Sequence, residues 1–65
     1  MNDVKLNVKA LAAMMEMSIE KLAEECDISV SHLKAVSWGR AKMTANDLKR
    51  LSEFTHVNID NIKID

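Results

Sequence analysis

Lys34, Arg40 and Lys42 are the only formally charged residues between Asp27 and Asp47. The chain carries 10 acids against 9 bases, so a long stretch cleared of acids is a local exception. Ammonium and guanidinium groups without opposing carboxylates are what a polyanion such as a phosphate backbone responds to. In the same stretch Ser31 and His32 add hydrogen-bonding groups, and Val30, Ala35 and Trp38 add apolar surface. Just before it the balance reverses, with Glu20, Glu24, Glu25 and Asp27 against Lys21.

Other chemistry finds little support. A single glycine cannot build a phosphate-cradling loop, no carboxylate pair stands apart in an apolar setting, and no Cys-His or Ser-His arrangement exceeds chance. No second histidine or carboxylate lies at ligand spacing from His32 within its helix, so no metal site is expected. The expectation is a protein that is not an enzyme, takes no cofactor and has no small-molecule substrate. Cys26 has no partner for a disulfide, which fits a reducing compartment, and its position suits a small core filler.

The elements that must position these residues follow from composition and period. Sixty-five residues make one domain, 1–65, and 48% apolar with 29% charged residues suits a folded chain with a core. Proline and tyrosine are absent, glycine occurs once and aromatics are 3%, which removes the usual strand and hairpin signals and predicts an all-α fold. A net charge of −1 argues against strong nonspecific adhesion to nucleic acid or anionic lipid. Neither a leader pattern after Met1 nor an apolar run long enough to span a bilayer is present, so a cytoplasmic protein without membrane contact is expected.

Asn7 can cap a first helix with Val8, Leu11, Ala12 and Met15 on one face, and Ser18 a second, about 19–26, through Ile19, Leu22, Ala23 and Cys26. Ser29 can cap a third, about 30–38, whose inner side is Leu33 and Val36 and which Gly39 ends in a left-handed conformation. Thr44 caps a fourth with Leu48, Leu51 and Phe54, and Asn58 a short fifth turn. The isoleucines 59, 62 and 64 form either a dimer seam or an internal contact with Leu6 or Leu51.

With the elements in place, the stretch SIEKLAEECDISVSHLKAVSWGR resembles the helix-turn-helix of the lambda-repressor-like (Cro/CI-type, Xre) family. The resemblance is carried by Leu22-Ala23, Ile28-Ser29, Leu33, Val36 and Gly39 in register, and extends over roughly residues 7 to 62. It implies a compact four- to five-helix DNA-binding domain whose third helix enters the major groove while the second crosses the backbone. Position by position it places Val30, Ser31, His32, Lys34 and Ala35 toward base edges or nearby phosphates, and Trp38, Arg40 and Lys42 toward the backbone. The implied partner is double-stranded operator DNA, with a possible homodimer, in a phage or prophage genetic switch.

The chain also departs from that family. The first residues of the second and third helices, often a glutamine pair that joins phosphate to base, are Ile19 and Val30. Ala12 and Ser37 stand where many members pair an arginine with a glutamate. Apolar Ile19 and Val30 therefore allow a second reading, in which this face, with Trp38, meets a partner repressor as an antirepressor or protein-binding module.

Overall fold

Capping side chains set the phase of the chain. The computed structural model describes residues 5–63, and in them Asn7, Ser18, Ser29, Thr44 and Asn58 each accept a backbone N–H at the start of the element that follows. These elements are α1 (Val8–Met14), α2 (Ile19–Glu25), α3 (Val30–Ser37), α4 (Ala45–Thr55) and a closing 3-10 turn, Ile59–Asn61. No strand occurs among the described residues; the domain is all-helical. The second and third helices stop one residue short of the expected boundaries, with Cys26 and Trp38 as their C-cap residues.

Three of the four α-helices end in the same way. Glu16, Asp27 and Gly39 are left-handed, at φ 58°, 59° and 80°. The N–H groups of Glu16 and Met17 return to the carbonyls of Ala13 and Ala12, those of Asp27 and Ile28 to Glu24 and Ala23, and those of Gly39 and Arg40 to Val36 and Ala35. This paired 5→2 and 6→1 pattern satisfies carbonyls that a helix end would otherwise orphan, and it reverses the chain at once. Only the third of these turns has a glycine. Glu16 and Asp27 hold a Cβ in that region, which costs on the order of 1 kcal/mol each.

Helices this short are marginal alone, so burial must hold them. Leu11, Leu22, Leu33 and Leu51, one from each α-helix, are the largest fully buried side chains together with Ile62. Val8, Ala12, Ala23, Cys26, Ile28 and Met43 fill the space between them. Ala23 is completely buried, and its small side chain permits the close approach of α2 and α3, the most intimately packed pair. A Cα radius of gyration of 10.6 Å equals the roughly 10.7 Å expected of a compact chain of this length.

The two ends of the described chain meet. Leu6 N–H donates to the Asn61 carbonyl at 2.7 Å and Lys63 N–H to the Leu6 carbonyl at 2.8 Å, a parallel bridge of Leu6 with Ile62. Ile62 is thus an internal packing residue, whereas Ile59 is exposed; Ile64 lies outside the described residues. Among the described residues no helix is long and apolar enough to cross a membrane.

The helix ends give a paired test by urea unfolding. A Cβ added at Gly39 meets nothing within 4 Å, so Gly39→Ala isolates the conformational cost and should destabilise by about 1 kcal/mol. Glu16→Gly should stabilise by about 0.5–1 kcal/mol for the inverse reason. Equal stability for all three proteins would show that these turns are not the strained points.

Candidate functional site

The outward side of α3 is a stripe set by helical spacing. Ser31 is exposed, Lys34 and Ala35 are half-buried and Trp38 is 58% exposed, at intervals of three and four residues. Leu33 points the other way into the core. Beyond the helix the reversal at Gly39 brings the guanidinium of Arg40 over the Trp38 ring, 5.5 Å from its centroid, in a cation–π contact. Arg40 and Lys42 are exposed, and neither forms an ion pair among the described residues.

Ser31, Ala35 and Trp38 therefore lie on one side of α3, Arg40 joins them through Trp38, and Lys42 is exposed in the connection to α4, but three other expected contact residues are engaged elsewhere. Ile19 and Val30 are half-buried and packed against the core, because each begins a helix whose second apolar residue is already inside. They anchor the starts of α2 and α3. His32 turns toward α4, where its Nε2 donates to Asp47 Oδ2 at 2.6 Å.

Asp47 is the buried polar centre of this region. Its Oδ2 also accepts the Thr44 N–H at 3.0 Å, while its own N–H donates to Thr44 Oγ1 at 3.1 Å, a complete capping box at the start of α4. Burial by itself would push this carboxyl up. The Thr44 backbone N–H, His32 and the Thr44 hydroxyl outweigh burial and hold it below the ordinary aspartate value. No buried side-chain nitrogen or oxygen among the described residues lacks a partner.

Lys34 is paired as well. Its Nζ lies 3.1 Å from Oε2 of Glu20, in the first turn of α2, and this contact draws the Glu20 carboxyl below its usual value. The sequence window without acids is thus not a surface without acids, since the fold returns one carboxylate to it. Elsewhere Arg50 Nη1 donates to both the carbonyl and Oδ2 of Asp27, bracing α4 against the left-handed exit of α2. Burial, followed by Glu25, pushes the Cys26 thiol up, so it remains a protonated core group.

A cleft of about 360 Å³ lies between the end of α2 and α4, bordered by Glu25, Asp27, Lys49, Arg50 and Glu53. Its charges are of both signs and do not converge on one point. No group of three or more His, Cys, Asp or Glu side chains able to hold a metal ion occurs among the described residues.

No protein-family model matches this chain, and no curated protein or solved structure matches it either. What defines the region is its own geometry: α2, a four-residue connection over 26–29, and α3 with an exposed outer stripe followed by two unpaired cations. Glu20 and Asp47 are its two unforeseen members. The Thr44-x-x-Asp47 spacing is a local signal for the second, whereas Glu20 and Lys34, 14 positions apart, carry none.

Removing the Asp47 carboxylate leaves the Thr44 N–H and His32 without their acceptor. Asp47→Ala should cost about 1–3 kcal/mol in urea unfolding. Because folding depresses its pKa, the carboxylate contributes stability that is complete above the ordinary value near about 4 and is lost as pH falls through the lower folded value. Wild-type stability should fall across that window, and Asp47→Asn should flatten the fall. An unchanged acid limb in Asp47→Asn would remove this carboxylate from the account.

Proposed function

We propose that this chain is a small helix-turn-helix transcriptional regulator of the lambda-repressor-like kind, reading operator DNA with α3 as part of a phage or prophage genetic switch in the cytoplasm. The single observation that carries the proposal is the outer stripe of α3, exposed at Ser31 and Trp38 and half-buried at Lys34 and Ala35, followed by Arg40 and Lys42, which form no ion pair among the described residues. An α-helix is about 10–12 Å across with its side chains, which suits a major groove about 12 Å wide. Ser31, Lys34 and Ala35 then face base edges, and Arg40 and Lys42 neutralise phosphates beside the groove. The resemblance further implies two copies on half-sites one helical turn apart.

One observation favours a second reading. Trp38 is exposed, large and pre-ordered by Arg40, as an anchor for a protein partner would be, so an antirepressor that binds a partner repressor through this face is the alternative. Its apolar centre is narrow, because Ile19 and Val30 are committed to the core.

Binding to duplex DNA, followed by fluorescence anisotropy across a salt series, separates the two. On the DNA reading log affinity falls with log salt, and Arg40→Ala and Lys42→Ala each make the slope shallower by about 0.9 for the phosphate no longer neutralised. On the partner reading the wild type shows only weak, sequence-independent DNA binding, and Trp38→Ala abolishes capture of a single repressor protein from nuclease-treated phage lysate.

A further inference from the structure

The Glu20–Lys34 pair stands on the outward side of the α2–α3 unit, and its chemistry differs from that of the other cations there. Arg40 and Lys42 form no ion pair among the described residues, whereas Lys34 is held at 3.1 Å by a carboxylate from another helix. Its side chain is 35% exposed and that of Glu20 53% exposed, so the pair lies at the surface with the lysine stem packed down. A free lysine beside DNA is drawn to the nearest phosphate, which bears a full charge. The paired lysine is drawn much less, because the Glu20 carboxylate compensates it and repels a phosphate approaching the same Nζ within a Debye length of about 8 Å.

A base edge carries no formal charge and meets no such repulsion. Resting on the DNA-binding reading above, we propose that Lys34 is the specificity-determining residue of α3, donating to O6 and N7 of a guanine in the major groove, and that Glu20 is the positioning residue that keeps it from phosphate. Guanine is the base that offers two adjacent acceptors to a lysine, and the cytosine N4 amino group of the same base pair is a donor that a carboxylate accepts. Lys34 and Glu20 together therefore match both halves of one G·C pair. Because Lys34 is already anchored, less side-chain freedom is lost on docking than for a free lysine.

Selection from a random-sequence duplex pool, followed by salt-dependent affinity for the selected duplex, tests this in the wild type, Lys34→Ala, Glu20→Gln and the double variant, with circular dichroism confirming that each is folded. Lys34→Ala should lose the preference for G·C at one position by about tenfold or more, and Lys34→Ala combined with Glu20→Gln, which removes both charges of the pair, should lose it equally while leaving the salt slope nearly unchanged. Glu20→Gln alone, which keeps the shape but frees the lysine charge, should steepen the slope by about 0.9 and relax selectivity at that same position. If the double variant instead makes the slope shallower by about 0.9 and the selected sequence is unaltered, Lys34 is a phosphate contact and the inference falls while the DNA-binding reading stands. If the wild type enriches no duplex, both fall together.

Discussion

One oxygen of Asp47 accepts the Thr44 N–H and the His32 Nε2 donor at once, so the start of α4 and the first turn of α3 share a single hydrogen-bonding centre. That centre fixes the rotation of α3 about its own axis. With His32 turned inward and Leu33 in the core, helical spacing leaves Ser31, Lys34, Ala35 and Trp38 on the other side. A carboxylate so nearly removed from water persists only because its lone pairs are used. The direction of the outer stripe is thus a consequence of polar satisfaction inside the domain as well as of apolar packing.

Much of this was legible in the sequence wherever the physics is local. A capping residue bonds to an N–H only two or three positions away, and all five caps read from the chain hold. The buried leucines at helical period and the left-handed Gly39 are equally local. Glu16 escapes because a glutamate seldom adopts a left-handed backbone, and Asp27 because an aspartate, though more tolerant of it, marks several kinds of turn; the residues that follow them, Met17 and Ile28, pack against or within the core. Ile19 and Val30 have an outward look at the start of their helices, and only the approach of α2 to α3 half-covers them. His32 looked free because its carboxylate partner belongs to another helix, and Glu20 looked like a first-turn charge because its cation is 14 positions ahead.

The candidate surface accordingly has two kinds of cation. Arg40 and Lys42 follow the reversal at Gly39, where the backbone has just left the helix, and neither forms an ion pair among the described residues. Lys34 belongs to the helix and is tied to the neighbouring one. The link between α2 and α3 is ionic, joining Glu20 to Lys34. Ile19 and Val30, at the starts of these two helices, are half-buried against the core.

Trp38 is the only tryptophan of a chain that has no tyrosine. Its indole lies in water at the end of α3 with a guanidinium above it. The protein's near-ultraviolet emission therefore originates almost wholly from one spot on its outer surface, and the interior is optically silent. Whatever settles on that surface changes the brightness and colour of the whole molecule's light, without any label attached.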